Sequence, residues 1–267
     1  MSTRGPWPGG AVAPAPAPAD VGIVAALPIE VGFLTDKLTS VRKYRGPGHS
    51  IIEGEHEGKL VALIVGGMGR VSARNATELL IAGHHPRVIV SAGFGGALDP
   101  SLKRNDLVFF SEIRDQEGQT FVAELPACLP DSTRIKTGRL LTVDAIVRTA
   151  AEKAELRARF DADVTDMETS AVASVCNKMG LKFIALRIVS DDANIDLPPE
   201  IATLMTRSGG YRVGAALRAI WNRPSAIKDF WTLHENAQEA ADWLAEVTLA
   251  LIAGLKSDRE TKTADGE

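Results

Sequence analysis

The sequence predicts an α/β fold, in which helices cover a β-sheet. Short apolar runs typical of buried strands alternate along the chain with stretches whose apolar residues recur at helical spacing. In the clearest example, a helix that opens at Glu168 and ends at Gly180 leads into an apolar strand over 183–189, which leaves the core at Asp191. Ligands gather beyond the carboxyl ends of strands in such sheets, so we expect both acids at one edge of the sheet.

The first half of the chain supplies two further features at strand ends. Its predicted elements are a strand over 21–27, a helix over 29–38, a hairpin of 50–55 and 59–65, a helix over 70–83 and a strand over 87–92. Glu30 lies at the first strand-to-helix junction. Glycine clusters at 66–69 and 93–96 allow a close backbone approach. Neither cluster fits the dinucleotide fingerprint, because Ser72 and Leu98 stand where its third glycine would fall.

The second half continues the alternation and then changes character after Asp191. Its predicted elements are strands over 106–113, 139–143 and 183–189, a charged surface helix over 146–160, the helix from Glu168 to Met179, a helix over 211–221 and a further helical region from Pro224. Leu197-Pro198-Pro199 breaks the path between the last strand and these final helices. An apolar stripe from Ala237 to Leu255 predicts a packing helix.

Composition sets the domain organisation. The chain has 267 residues, of which 45% are hydrophobic and 24% charged, as in an ordinary globular protein. We expect one domain over 21–256. A Pro- and Ala-rich tail over 1–20 and a polar tail over 257–267 are predicted to be disordered.

Charge, cysteine content and hydropathy exclude several classes of protein. The net charge of −4 gives no basic footprint for nucleic acid. Cys128 and Cys176 form no CxxC pair, which argues against a disulfide framework or a structural zinc site and favours a reducing cytoplasm. The N-terminal residues lack the apolar core of a signal peptide. No apolar run approaches the roughly 20 residues that span a bilayer, so we expect no membrane association.

Three stretches together carry a family resemblance. They are the segment 22–31, the glycine turns 67–71 and 93–98, and Asp166-Met167-Glu168 followed by 187–191. In order and spacing they resemble the nucleoside phosphorylase and nucleosidase superfamily, most closely its methylthioadenosine/S-adenosylhomocysteine nucleosidase branch. The resemblance implies a three-layer α/β sandwich whose central mixed, partly barrel-like sheet is flanked by helices. It also implies a homo-oligomer, with a dimer favoured, that cleaves purine nucleosides without a metal or an organic cofactor.

The resemblance further implies roles for individual residues. Asp191, placed with help from Ser190, protonates the leaving purine at N7, and Glu30 orients the attacking water. The other residues hold the ribose or line the base and nucleophile pockets: Glu168 and Met167 for the ribose, and Met68, Phe94, Gly95 and Ile146 for the pockets. These residue types suit the chemistry, because carboxylates stabilise an oxocarbenium-like sugar while an acid neutralises the departing base. We expect burial and the adjacent Asp192 to keep a proton on Asp191.

Some alternatives stay open at this stage. Phosphate could replace water as the nucleophile, and Arg70 is then the candidate phosphate ligand, because it is the only cation beside a glycine turn. Glu30 favours water. A nucleoside-binding sensor without turnover is a third reading, although a binder has no need of an acid on N7. Ile146 stands where the nucleosidases commonly carry a Phe that stacks on adenine, and 197–231 is an addition that could form a lid or an oligomer contact, so the base and the 5′ substituent are not fixed.

Overall fold

The computed structural model describes residues 18–46, 49–127, 131–197 and 226–255, and within 226–236 it describes the backbone alone. The strands are β1 (Val21–Ala25), β2 (Thr39–Gly46), β3 (His49–His56), β4 (Lys59–Val65), β5 (Val88–Ala97), β6 (Leu107–Asp115), β7 (Thr120–Val122), β8 (Ile135–Thr142), β9 (Val164–Asp166) and β10 (Lys182–Asp191). The helices are α1 (Pro28–Asp36), α2 (Arg70–His84), α3 (Ala150–Phe160), α4 (Thr169–Met179) and α5 (Ala226–Gly254).

The strands form one mixed ten-stranded sheet, part of which closes into a barrel. The order runs β10-β6-β8-β9-β5-β1-β4-β3-β2, with β7 beside β6. Because β10 also pairs in parallel with β5, strands β5, β9, β8, β6 and β10 form a closed ring. Strands β1, β4, β3 and β2 extend from β5 as an open wing that begins with parallel β1 and ends at the β2–β3 antiparallel pair. The predicted partly barrel-like mixed sheet is confirmed.

Helices cover both faces of this sheet, as predicted for a three-layer sandwich. On one face α1 and α5 pack their buried residues, among them Leu34 and Leu244, against β1, β4, β5 and β10. On the opposite face α2 and α4 pack through residues such as Leu80 and Val172. The Leu156 and Phe160 side chains of α3 pack on a small cluster at one end of the barrel.

Three strands and part of a fourth differ from the sequence-based expectation. The strand β2 was not predicted, because it is an exposed edge strand rich in Arg and Lys, a composition that protects free edges from pairing but hides the apolar alternation. β7 and β9 have three residues each, too few for a periodic pattern. β5 continues through the glycine cluster 93–96. A Cβ at Gly95 would lie 2.6 Å from the Val164 side chain, so glycine lets β5 and β9 approach.

The helix predicted over 146–160 begins later than expected and has one buried lysine. α3 starts at Ala150 because Thr149 caps it: the Glu152 N–H donates to Thr149 Oγ1 over 3.2 Å, and Glu152 Oε2 accepts from the Thr149 N–H over 2.9 Å. Ile146 therefore lies in the connection between β8 and α3. Although α3 is rich in charged residues, its Lys153 is completely buried. The prediction of a surface helix therefore fits the rest of α3, where Lys153 is the buried exception.

The chain ends and the segment after β10 meet the predictions only in part. Ala19, which the sequence placed in the N-terminal tail, is buried and its N–H donates to the His84 carbonyl over 2.7 Å. Residues 1–17, 198–225 and 256–267 lie outside the described residues, and with them the predicted helix over 211–221, most of the 197–231 addition and nearly all of both predicted tails. α5 includes the predicted packing helix. Among the described helices, none combines the length and apolar character needed to cross a membrane.

Candidate active site

The carboxyl-terminal half of β5 is the meeting point of the predicted acids. β1 lies parallel to the preceding half of β5, and β10 runs parallel to β5 through the carboxyl-terminal half, with Ile188 opposite Phe94 and Val189 opposite Gly95. On its other side this half of β5 pairs with β9, which places Thr165 opposite Gly96 just before Glu168. One segment of strand therefore orders the ends of three neighbouring elements, as expected for a site beyond the carboxyl ends of strands.

Glu30 is fixed by backbone donors from two elements. It lies in the first turn of α1, is 5% exposed, and its Oε2 accepts from the N–H groups of Ala26 and Leu27 over 2.8 and 2.7 Å. Its Oε1 accepts from the Phe94 N–H over 2.9 Å. Burial raises the pKa of Glu30, and these hydrogen bonds and the Arg187 charge only partly oppose it. The group is thus aimed at β5 as an acid that holds its proton to a higher pH than an exposed glutamate.

Glu168 occupies the N-cap position of α4 and reaches the first glycine turn. Its Oε1 accepts from the Gly69 N–H over 2.7 Å, and its Oε2 from the Met167 N–H over 3.2 Å. Burial and the neighbouring Asp166 carboxylate raise the pKa of Glu168 to about 8, and the charge of Glu30 adds to the rise. Because the charge of Glu30 acts on Glu168, the two carboxyl groups share one electrostatic environment.

Asp191 is aimed by an irregularity at the end of β10. A β-bulge shifts the register after Val189, so Asp191 pairs with Gly96 and a Cβ at that glycine would lie 3.3 Å from its carboxyl group. Asp191 is 8% exposed, and its Oδ1 lies 2.6 Å from Ser190 Oγ. The same hydroxyl lies 3.1 Å from the Gly95 carbonyl oxygen, so Ser190 ties the acid to β5.

The surroundings of Asp191 differ from the expectation in one respect. The adjacent Asp192 directs its Oδ1 to the Arg104 N–H, from which it accepts over 2.8 Å. The partner of Asp191 is instead the Lys153 ammonium, whose Nζ lies 2.6 Å from Oδ2. Sequence reasoning missed Lys153, since a lysine in a charged helix gives no signal that it is buried.

Arg187 is a second buried cation beneath the site. Its guanidinium donates to Asp166 Oδ2 over 2.7 and 3.2 Å, to Ser91 Oγ over 3.0 Å and to Thr169 Oγ1 over 2.6 Å. These bonds join β10 to β5, β9 and the start of α4. The positive charge of Arg187 lowers the pKa of both Glu30 and Glu168, against the larger effect of burial. The signal in the sequence was a charged residue inside an otherwise apolar strand.

The remaining predicted pocket residues surround these acids to different degrees. Phe94 and Gly95 lie in β5, and Met68 is half-buried in the turn that ends at Gly69. Met167 directly precedes Glu168 and packs on the small cluster at the barrel end. Ile146 is half-buried in the connection before α3.

Arg70 lies beside the site but is already engaged by carboxylates. It follows Gly69 at the start of α2, and both Glu117 oxygens accept from its guanidinium over 2.6 Å. Asp144 accepts two further bonds over 3.0 and 3.1 Å, and Asp115 lies 3.8 Å away. These partners raise the pKa of Arg70. A phosphate would have to displace them.

Comparison with known proteins assigns the family. The model described as "Phosphorylase superfamily" matches residues 20–130 and 122–253. The chain belongs to the phosphorylase superfamily. Relatives within it include the 5′-methylthioadenosine/S-adenosylhomocysteine nucleosidases of Halalkalibacterium halodurans, 31% identical over 200 residues (66% of this chain, 87% of the relative), and of Marinomonas sp., 29% identical over 203 residues (67% and 88%). The predicted family is confirmed.

Solved structures of the phosphorylase superfamily share the fold. The Neisseria meningitidis 5′-methylthioadenosine/S-adenosylhomocysteine nucleosidase, in complex with methylthio-immucillin-A, superposes with a TM-score of 0.70 at 22% identity, covering 88% of this chain and 99% of its own. The Colwellia psychrerythraea nucleosidase, in complex with adenine, also gives 0.70 at 24% identity, with coverages of 90% and 96%. At 22% and 24% identity, these superpositions show that the fold is shared.

Proposed function

We propose that this chain hydrolyses the N-glycosidic bond of a 5′-substituted adenosine derivative such as methylthioadenosine or S-adenosylhomocysteine. The observation that carries the proposal is the convergence of Glu30, Glu168 and Asp191 on the carboxyl-terminal half of β5. The names of the curated relatives support the substrate class. The same convergence has no purpose in a protein that only binds nucleosides.

Each acid has a role that suits its surroundings. As the bond between C1′ and N9 breaks, its electron pair passes to the purine, and Asp191 donates a proton to N7 so that a neutral base departs. The positive charge that grows on the sugar favours carboxylates beneath it. Glu168, with Met167, holds the ribose hydroxyls. Glu30 orients water towards C1′, and its raised pKa makes it a stronger base for the water proton than an exposed glutamate.

The pocket around these acids is built from neighbouring backbone. Phe94, Gly95, Met68 and Ile146 are proposed to line the base and nucleophile sites, and Ser190 to hold the side chain of Asp191. Gly93 has a specific part in this arrangement, because a Cβ there would lie 2.6 Å from Glu30 Oε1. Glycine at this position lets the carboxyl group lie directly against β5.

Water is favoured over phosphate as the nucleophile because the two arginines described beside the site are already neutralised. Glu117 and Asp144 hold the Arg70 guanidinium, and Asp166 holds Arg187, which is buried. An incoming phosphate dianion would need an uncommitted cationic clamp. Phosphorolysis to a ribose 1-phosphate is therefore the alternative outcome of the test.

The deciding experiment offers methylthioadenosine, S-adenosylhomocysteine and adenosine to phosphate-stripped enzyme, with and without added phosphate. We expect adenine and the free sugar to appear in buffer alone, at a rate that phosphate does not raise. Asp191→Asn is the matched control, since it should bind the nucleoside without turnover. Base release that depends on phosphate and yields ribose 1-phosphate would identify a phosphorylase, and binding without release under both conditions would identify a sensor.

A further inference from the structure

Lys153 is a completely buried cation that makes contact with the proposed acid. It projects from α3, is 0% exposed, and its Nζ lies 2.6 Å from Asp191 Oδ2. The same nitrogen lies 2.7 Å from the Asp192 carbonyl oxygen and 3.1 Å from that of Ile195. Three acceptors around one amine require three N–H donors, and only the ammonium form has three. The hydrogen-bond geometry therefore identifies Lys153 as a charged residue.

Burying the Lys153 ammonium carries a desolvation cost. Desolvating an ion pair commonly costs as much as its attraction returns, so an apolar side chain of the same size would serve stability equally well. Nor is the lysine needed to neutralise several acids, since only one carboxylate touches it among the described side chains. The benefit must then come from what the charge does to Asp191.

We propose that Lys153 is a positioning residue for glycosidic cleavage, which acts by stabilising the Asp191 carboxylate that remains after its proton has passed to the purine. The inference rests on the proposed function. Oδ2 accepts from Lys153, so the transferable proton belongs on Oδ1, beside Ser190. When N7 takes that proton, the negative charge left on Asp191 is already faced by an ammonium. Lys153 keeps all its protons throughout, and Asp191 recovers its own from solvent after the base departs.

The same contact imposes a cost at alkaline pH. A cation that stabilises the carboxylate makes Asp191 a stronger acid, but it also shortens the pH range over which the proton is retained. Several charged side chains of the surrounding segments are engaged elsewhere: Asp192 with the Arg104 N–H, Asp196 with the Ala150 N–H, Glu152 in the α3 cap, and Arg157 with Asp99 and Asp163. Arg148, whose buried Nε makes no hydrogen bond, acts on Glu152 through its charge. Glu30 and Glu168 titrate in the same pocket, but they remain in every variant compared below.

The test compares Lys153→Met and Lys153→Gln with Lys59→Met, using methylthioadenosine and recording kcat and KM from acidic to alkaline pH. Lys59 is the matched control, because it is also buried but donates to the Ala253 carbonyl, in α5. We expect the Lys153 variants to lose about tenfold or more in kcat at acidic pH, a part of the usual general-acid contribution. Their alkaline loss of activity should move to higher pH, whereas Lys59→Met should retain the wild-type profile.

A double-variant cycle separates this role from a structural one. In the Asp191→Asn background, Lys153→Met should cause little further loss in kcat, because the carboxylate that it serves is gone. A wild-type kcat and pH profile in the Lys153 variants, or equal losses in both backgrounds, would overturn the proposal. So would failure of both Lys153 variants to fold while Lys59→Met folds, since the lysine would then serve folding. If wild type releases no base, or Asp191→Asn retains its rate, the proposed function itself fails.

Discussion

Asp191 is the residue whose substitution should separate binding from chemistry. Asparagine has nearly the same shape and still hydrogen-bonds the base, but it carries no proton for N7. We expect Asp191→Asn to lower kcat by about 10²–10⁴-fold. Affinity for an inert nucleoside analogue should change little. Single-turnover rates and equilibrium titration of the analogue measure the two effects, and a rate within about tenfold of wild type would remove Asp191 from the mechanism.

The same substitution should also lower stability at alkaline pH, where Asp191 has lost its proton and its carboxylate pairs with the Lys153 ammonium. Loss of one partner of a buried ion pair costs about 3–5 kcal/mol, and since asparagine keeps a hydrogen bond we expect the lower part of that range. Urea denaturation provides the measurement. Adding Lys153→Met to the Asp191→Asn chain should recover most of the lost stability but none of the rate.

Substitution of Glu168 should change the preference of the enzyme for ribosides over 2′-deoxyribosides. The Glu168 carboxyl group is proposed to accept hydrogen bonds from the ribose hydroxyls, and above its pKa of about 8 a hydrogen bond to the charged group contributes about 1.5–3 kcal/mol. Glu168→Gln should therefore reduce kcat/KM for ribosides far more than for 2′-deoxyribosides. Equal losses on both sugars would contradict the assignment.

The pH dependence of stability gives a second readout of the same variant. The pKa of Glu168 is about 8 in the folded chain against an ordinary 4.5. Between these values the folded chain holds a proton that the unfolded chain has lost, so this stabilising contribution is complete below about pH 4.5 and is lost as pH rises through about 8. Glu168→Gln removes the titration. As the pH rises from about 4.5 to about 8, the free energy of unfolding of the variant should increase relative to that of wild type. Urea midpoints at each pH measure this difference.

At the residue scale the sequence predicted the acids but not their counter-charges. Glu30, Glu168 and Asp191 stand at the ends of strands or the starts of helices, where local patterns are informative. The contact of Lys153 with Asp191 and the hydrogen bond between Asp192 and the Arg104 N–H each join parts of the chain that are distant in sequence. No local pattern encodes such a contact. The engagement of Arg70 by Glu117 and Asp144 is of the same kind.

At the scale of elements, the glycine run in β5 should be sensitive to substitution. A Cβ at Gly93 would lie 2.6 Å from Glu30 Oε1 and 3.0 Å from its Cδ, so Gly93→Ala displaces the carboxyl group. A misplaced catalytic group can cost about 100-fold in rate, and we expect a loss of that order in kcat/KM. Steady-state kinetics with methylthioadenosine measures it.

Gly32→Ala is the matched control for that prediction. Gly32 is exposed in α1, and a Cβ there would meet nothing within 4 Å. The change should leave activity intact and stabilise the chain by about 0.5–1 kcal/mol through helix propensity. If Gly93→Ala is as active as Gly32→Ala, then the position of Glu30 against β5 does not matter for turnover.

The sequence predicted element types better than element limits. Long periodic segments such as α2 and the apolar strands were recognised because burial imposes a period on them. β2 was hidden by its exposed, charged composition, and β9 by its length of three residues. The start of α3 was set by the Thr149 cap rather than by the charge pattern that continues upstream. Closure of the barrel depends on pairing between strands far apart in the chain, and only the family resemblance indicated it.

For the whole molecule, cytoplasmic location and a homo-oligomer, with a dimer favoured, stay predictions. Sedimentation velocity can address the assembly, since a monomer has a mass of 28.4 kDa. The 197–231 addition, proposed as a lid or an oligomer contact, lies mostly outside the described residues. Its part in selecting the 5′ substituent is best followed through KM across a series of 5′-alkylthio adenosines.

Closure of the barrel also affects which strands can unfold locally. β5 pairs with β1, β9 and β10, and β10 is paired on both sides by β5 and β6, so neither strand can peel away alone. Their amide protons should exchange with solvent only when the whole chain unfolds, whereas those of the edge strand β2 should exchange through local fraying. Native-state hydrogen exchange, read peptide by peptide, measures this difference. Because the positions of all three acids depend on β5, we expect enzymatic activity to be lost at the same urea concentration at which the β5 amide protons lose their protection from exchange.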